Sequence, residues 1–392
     1  MKVLFWIFVG FDQHATSEHL LSAVIEQLCK SGHSVHIIQK YTGGTLPSIP
    51  ENLSGYDVSS DVIKIKQANK NNFIARYITE LKYINTCKKR ITSEFDAVFI
   101  QSTNVAKFAV KTIRKKLPNA LITFNVQDVF PYNAVYSGMI KNNSLLFKVL
   151  ANFQRYAYMH SDHVITISED MKETLIADGV DESKISVIYN WSYQDDVYEN
   201  VDKTKVAYMF NSDYFNVVYA GNIGIMQNVD IIIEAAKAIK KDKTIWFHII
   251  GNGLYRDKLE ARAKEYGITN ISFWPLQSPA LAPAIYSSAD INVIPLVKNI
   301  YKTALPSKTA TCFACQKPIV FAIGDGSSFG KKASAEAGCL IVDSDDADQL
   351  VESIYRLKNN SSDNNEGEFF RNNFSKSANS LRYAQIITTG DL

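Results

Sequence analysis

The chain has 392 residues, 46% hydrophobic and 21% charged, with a formal net charge of +2. That is the composition of an ordinary globular protein of about two domains, and it gives no ground for a nucleic-acid partner. No apolar run approaches the ~20 residues of a membrane span, and five cysteines, an odd number, suit a reducing compartment better than a disulfide framework.

Residues 3–11 are apolar or small, follow Lys2, and lead into Asp12 and His14. The run is too short for a span and no small-residue cleavage site follows, so it reads as a buried first strand over 2–9. An amphipathic helix is expected over 15–30, with Leu20, Leu21, Val24, Ile25 and Leu28 on one face and Gly32 just beyond its end. Strand 35–38 comes next, then a basic amphipathic helix over 73–90. Strand 97–100, helix 105–116, strand 121–126, helix 145–158 and strand 163–167 complete the alternation. Ser168 followed by Glu169 and Asp170 reads as a helix cap with an acidic first turn. Strand 185–188 closes the first half.

Residues 190–214 are polar and aromatic without a period, and read as an interdomain linker. The second half has strands over 215–220, 245–250, 271–274, 290–294, 318–322 and 339–342. Helices over 228–240, 254–266, 280–288, 307–315, 328–337 and 346–358 alternate with them. A polar break over 359–365 precedes a helical tail over 368–387. Such alternation predicts α/β architecture, with two doubly wound parallel sheets whose ligands bind beyond the carboxyl ends of the strands, in a cleft between the domains. Two apolar strands run directly into glycine turns, at Gly221-Asn222-Ile223-Gly224 and at Gly251-Asn252-Gly253. Free backbone N–H groups at the helix starts behind such turns suit a phosphate.

Two local features have competing readings. Between Lys64 and Lys116 stand thirteen Lys/Arg against three Asp/Glu, a local net of +10. These are either solvated helix faces or an attraction to an anionic surface or a phosphorylated acceptor. On the helix over 73–90, Phe73, Ile74, Tyr77, Ile78, Leu81 and Ile84 interleave with Arg76 and Lys82, and Lys88-Lys89-Arg90 follows. The stripe packs on the sheet, or it rests on an anionic membrane. Cys312 and Cys315 form a CxxC with no second pair at zinc-like spacing, and read as packing residues.

Several short stretches occur in a definite order. They are Gly32-His33-Ser34-Val35, Ser161-Asp162-His163-Val164, Tyr189-Asn190-Trp191, Ala220-Gly221-Asn222-Ile223-Gly224, Ile250-Gly251-Asn252-Gly253, Ser288-Ala289-Asp290, and Pro306-Ser307-Lys308 before Lys317-Pro318-Ile319-Val320. The series resembles the family-4 glycosyltransferases, retaining enzymes of the GT-B fold with two Rossmann-like domains facing a cleft. The variants resemble the branch that builds bacterial surface polysaccharides on lipid carriers. The resemblance implies an N-terminal acceptor-side domain over 1–190, a linker over 191–214 and a nucleotide-sugar-binding domain over 215–365. It also implies a final helix over 366–392 that crosses back to the first domain. The donor would be a UDP-, GDP- or dTDP-sugar, with no cofactor. The acceptor would be a saccharide, or one carried on an undecaprenyl-type lipid. The location would be cytoplasmic, at the inner face of the plasma membrane.

The chain departs from the family at two carboxylates. Their places fall on Thr303 and Thr311, so the donor must be met by other groups. Lys308 is the best cation available, at a helix expected to start near Pro306, where proline suits the first helical position. With Leu305, Pro306 and Ser307 it forms an expected donor-phosphate site; otherwise it is a surface lysine. Gly10, Asn222, Gly224, Gly251 and Gly253 are the other donor-side candidates. Gly10 either admits a ligand to the backbone or only shapes a tight strand exit. His14 is catalytic or a cap. Gln127 and Asp128 end the strand over 121–126, where the family often has His-Asp; Gln127 can hydrogen-bond a sugar but cannot titrate. Asp128 is catalytic or an ordinary turn residue. No acidic pair of metal-binding type follows a strand, so no metal is expected. A retaining transfer needs no dedicated base, because the leaving diphosphate can take the acceptor's proton. Two other functions remain open: a nucleotide-sugar epimerase of the same architecture, and a binding module that has lost catalysis.

Overall fold

The computed structural model of the chain describes residues 1–11, 17–68, 73–360 and 365–390. It divides into two compact units, Met1–Tyr189 with Lys376–Leu392, and Asn190–Ser375. His14 lies outside the described residues.

In the first unit β1 (Lys2–Trp6), α1 (Glu18–Lys30), β2 (Ser34–Tyr41), β3 (Val58–Lys64), α2 (Phe73–Cys87), β4 (Ala97–Ile100), α3 (Ala106–Lys116) and β5 (Leu121–Val126) follow one another. After them come α4 (Tyr132–Tyr136), α5 (Leu145–His160), β6 (His163–Thr166), α6 (Glu169–Ala177) and β7 (Ile185–Val187). The strands form one seven-stranded sheet in the order β3-β2-β1-β4-β5-β6-β7, with every pair parallel. Central strands of such a sheet are covered on both faces, so they must be apolar throughout. Val3, Leu4, Phe5 and Trp6 of β1, and Ala97 to Ile100 of β4, are accordingly all buried. Ser168 caps α6 as its sequence requires, its hydroxyl accepting from the Met171 N–H at 3.2 Å.

The second unit contains β8 (Phe215–Ala220), α7 (Asp230–Ala238), β9 (Ile245–Ile250), α8 (Arg256–Glu265), β10 (Ile271–Trp274), α9 (Ala282–Ser288) and β11 (Ile291–Pro295). It continues with α10 (Lys308–Ala314), β12 (Ile319–Ala322), α11 (Ser328–Ala337), β13 (Leu340–Val342), α12 (Ala347–Asn359) and α13 (Glu366–Phe374). Its six strands run parallel in the order β10-β9-β8-β11-β12-β13. The remaining helix, α14 (Lys376–Thr389), belongs to the first unit.

Two boundaries differ from those expected. Residues 190–214 are part of the second unit, because their aromatic side chains pack on it. Phe210 lies 4.7 Å from the His248 ring and Tyr208 meets Trp274 at 5.8 Å, between centroids, while the Tyr198 N–H donates to the Ala314 carbonyl at 2.8 Å. The tail is two helices that part at Ser375. Phe369 and Phe374 of α13 pack on Phe313, with centroids 4.7 and 5.5 Å away. In α14, Tyr383, Ile386 and Ile387 are buried, and the Asn379 amide donates to the Tyr189 carbonyl at 3.0 Å.

In each sheet the strand order reverses once, between β1 and β4 in the first unit and between β8 and β11 in the second. Loops leaving the carboxyl ends of the two strands at such a point diverge to opposite faces and leave a crevice for a ligand.

Candidate active site

In the second unit the crevice is bounded by the loop after β8 and the longer loop from β11 to α10. Tyr219, next to last in β8, is buried, and its hydroxyl donates to the Asn222 carbonyl. Lys308 opens α10 and lays its Nζ 3.8 Å from the centroid of the Tyr219 ring. The contact needs a glycine beside it: a Cβ on Gly221 would stand 2.8 Å from Lys308 Nζ. Among the described residues Lys308 has no carboxylate partner, and the face of a neutral ring is its principal electrostatic contact. Burial therefore lowers its pKa to about 8. A half-buried ammonium group that receives no protein anion is well placed to receive a ligand's.

The helix start differs from expectation. Pro306 is not the first helical residue; α10 begins at Lys308, and Pro306 instead accepts the Thr309 N–H at 3.0 Å. Leu305 and Pro306 are half-buried and Ser307 is exposed without a capping bond. With only seven residues in α10, Lys308 itself is the stronger feature. Thr303 is buried, its hydroxyl donating to the Ile300 carbonyl at 3.0 Å, whereas Thr311 is half-buried on α10.

The glycine turns serve the protein's own packing. A Cβ on Gly251 would meet the Gly221 carbonyl oxygen at 1.8 Å, and one on Gly253 would meet the Ile223 carbonyl oxygen at 2.1 Å. The loops after β8 and β9 thus interlock through their backbones, and the Ile223 N–H donates to the Asn252 carbonyl at 2.9 Å. Arg256, at the start of α8, donates to the Gly251 and Trp274 carbonyls and fixes these loops to β10. Asn222 and Gly224 are held by Gln227: its Oε1 accepts from the Asn222 amide and from the Gly224 N–H, each at 3.1 Å.

In the first unit Gly10 likewise faces its own chain. A Cβ there would lie 2.4 Å from Pro47 Cγ and 2.7 Å from the Lys40 carbonyl oxygen. Asp128 follows β5, and its side chain is exposed and without a hydrogen-bond partner among the described residues. Crowding by surrounding chain desolvates the carboxyl and raises it to about 6, while contact with water is kept. Gln127 is tied into the fold. Its amide donates to Asn125 Oδ1 at 3.1 Å, and the Asn125 amide donates to the Tyr383 hydroxyl at 2.9 Å.

Tyr219, Gly221, Arg256 and Tyr383 were not singled out as site residues from the sequence. Tyr219 and Gly221 were visible only as the end of an apolar strand and a turn. Their relation to Lys308 is a contact between distant positions, and no local pattern encodes it. Arg256 had a weak signal as a cation in the first turn of a helix, where the macrodipole disfavours positive charge unless something else holds it.

A model described as glycosyl transferases group 1 matches residues 200–378, and one described as Glycosyltransferase Family 4 matches residues 17–191. The chain is 22% identical over 333 residues to the "Probable glycosyltransferase WbjE" of Pseudomonas aeruginosa, spanning 83% of this chain and 81% of that one. It is 28% identical over 192 residues to WcaI of Escherichia coli (strain K12), named for colanic acid biosynthesis as a glycosyl transferase, with 48% of this chain and 45% of that one matched. Among solved structures, Anabaena HepE in complex with UDP and glucose superposes with a TM-score of 0.72 at 13% identity, over 99% of this chain and 100% of that one. That likeness is one of fold.

Proposed function

We propose that this chain, which belongs to the group 1 and family 4 glycosyltransferases of GT-B fold, transfers a sugar from a nucleoside-diphosphate sugar to a saccharide acceptor with retention of configuration. The observation that carries the reading is Lys308, an ammonium group with a lowered pKa and no carboxylate partner among the described residues, at the strand-order reversal of the second sheet. A diphosphate supplies the missing charge, and the HepE complex with UDP and glucose supports a uridine nucleotide.

In the transfer, the bond from the donor's anomeric carbon to the β-phosphate oxygen breaks, and the acceptor oxygen bonds to that carbon on the same face. The acceptor's proton passes to the departing phosphate. Charge accumulates on that phosphate as the bond breaks, so Lys308 stabilises the transition state more than the ground state. The Tyr219 ring beneath it and the Gly221 backbone beside it fix its position in advance. Asp128 contacts the acceptor in this reading, since its carboxylate has no partner of its own. The colanic acid biosynthesis for which WcaI is named supports a role in polysaccharide assembly, and in this reading the acceptor is a lipid-linked saccharide met at the cytoplasmic face of the membrane. No helix among the described residues is long and apolar enough to cross a bilayer, so the enzyme would meet such an acceptor from the side. Calorimetric titration with UDP, GDP and dTDP tests the donor site. The reading expects one nucleotide to bind through Lys308, and is lost if Lys308→Ala binds all three as the natural protein does.

A further inference from the structure

The first unit carries a small apolar cluster apart from its sheet core. Phe130, Ala134, Ile140, Phe147 and Leu150 are buried together, and Tyr77 of α2 packs against them. The surface around this cluster is also apolar. Leu145 is 80% exposed, Ile74 69%, Met139 58%, Leu146 49%, Ile78 45% and Val149 40%. Single exposed apolar residues need no explanation, but a group of six around one cluster does. Helix geometry accounts for the grouping. In α5, Phe147 and Leu150 face inward while Leu145, Leu146 and Val149 lie on the outward side, related by three and four residues. In α2, Ile74 and Ile78 are likewise four apart and flank the inward Tyr77.

The charges of the stretch from 129 to 161 are of one sign; the acids nearest the cluster lie outside it, Asp128 before Phe130, Asp178 against the Tyr132 hydroxyl and Glu80 on α2, the last paired with Lys40. No Asp or Glu occurs between Asp128 and Asp162, whereas Lys141 and Lys148 do, and both are exposed. Arg76 is exposed on α2 between Ile74 and Ile78. None of these three cations has an ion-pair partner among the described residues. Protein interfaces are depleted of lysine at their centres. Exposed leucines among lysines without ion-pair partners among the described residues, in a stretch with no acid of its own, instead match what an anionic bilayer surface attracts.

We propose that this face, made by the first two turns of α2 and of α5 together with Met139, docks on the surface of a bilayer containing anionic phospholipid. The inference deepens the reading of a lipid-linked acceptor and rests on it for its purpose, but not for its test. It also moves the membrane contact expected from the sequence. Ile84 is buried, and Lys88, Lys89 and Arg90 stand at the other end of α2, about 20 Å along the helix. Arg90 there is within 4.0 Å of Asp61.

The experiment is sedimentation of the full chain with vesicles of phosphatidylglycerol and phosphatidylcholine, against phosphatidylcholine alone, at low and high salt. The natural protein should pellet with the anionic vesicles at low salt. Leu145→Ser with Leu146→Ser should lower partition about tenfold or more, with melting temperature and UDP affinity unchanged. Lys141→Ala with Lys148→Ala should lower it about tenfold at low salt and have little effect at high salt. Lys88→Ala with Lys89→Ala should leave it near the natural value. The proposal is overturned if the natural protein stays in the supernatant, or if the double leucine variant pellets as before. It is equally overturned if the leucines hold together a dimer that binds no vesicles. A protein that pellets through this face yet binds no nucleotide would sink the transferase reading and leave this one standing.

Discussion

Removing the ammonium group of Lys308 should change donor binding in a way that depends on pH. The Lys308 side chain is half-buried against Tyr219 and its pKa is lowered to about 8. A charge-assisted contact to a diphosphate contributes about 1.5–3 kcal/mol, so Lys308→Ala should weaken UDP binding roughly ten- to a hundred-fold at pH 7. In the free protein about nine in ten Lys308 side chains are charged at pH 7 and about one in ten at pH 9, given a pKa near 8. The bound diphosphate favours the charged form, so binding at pH 9 must take up a proton. Affinity of the natural protein should therefore fall about tenfold between pH 7 and 9. Lys308→Ala should be flat across that window, since UDP has already lost its last proton. Stability provides a second sign. The folded pKa lies below the unfolded one, so the folded state is penalised below about pH 8 and the penalty fades as pH rises toward the unfolded value. Lys308→Met should then melt higher than the natural protein at pH 7, and by a smaller margin at pH 10. Isothermal titration with UDP and thermal melts across this range make the check. Equal pH slopes for natural protein and Lys308→Ala would refute the assignment, even if the alanine variant bound weakly.

Gly221→Ala should displace the ammonium group, its Cβ lying 2.8 Å from Nζ, and lower UDP affinity by a comparable factor, with a lower melting temperature as well because backbone φ there is +147°. Gly251→Ala should lower the melting temperature further, because its Cβ would meet rigid backbone at 1.8 Å in addition to a backbone φ of +144° that L side chains avoid; a native melt would remove the interlocked loops from the account. Asp128→Asn should cut transfer to acceptor strongly with UDP affinity unchanged. Its carboxyl is raised to about 6, so activity that needs the carboxylate should rise as pH passes through 6 in the natural protein and lose that step in the variant. Tyr383→Phe leaves the Asn125 amide without its partner and should cost about 1–3 kcal/mol in denaturant melts; an unchanged midpoint would mean that this hydrogen bond adds nothing to the hold on α14.

The parts of the fold legible in the sequence are those buried on both faces. Val217 to Ala220 is a continuous apolar run, and Ile245 to Ile250 one interrupted only by the buried His248, because parallel strands inside a sheet are covered on both faces. Strand β3 escaped for the opposite reason. It is an edge strand, Val58-Ser59-Ser60-Asp61-Val62-Ile63-Lys64, in which only Ile63 is fully buried, so its pattern resembles a loop. Helix α4 is five residues long, less than any periodic signal can show. At the candidate site, Lys308 could be singled out because Pro306-Ser307-Lys308 stands before a helical pattern. What the glycines pack against was not legible. Gly10, Gly251 and Gly253 are glycine because Pro47, Gly221 and Ile223 occupy the space a side chain would need. A sequence shows that a Cβ is absent and not what fills its place. Gln127 was read as able to hydrogen-bond a sugar; its amide also donates to Asn125, and the network's far end is Tyr383 on α14. That partner lies in a segment whose packing only the folded chain reveals.

The most direct measurement of the central claim is a transfer assay on the full chain with a panel of UDP-, GDP- and dTDP-sugars and a lipid-linked saccharide acceptor. Free nucleoside diphosphate and product linkage are read together, the linkage by proton NMR at the anomeric position. The account predicts nucleoside diphosphate released in step with glycosylated acceptor, the donor's anomeric configuration kept, and both signals lost together in Lys308→Ala. Recovery of an epimerised sugar nucleotide without transfer, a product of inverted configuration, or full turnover by Lys308→Ala would contradict it.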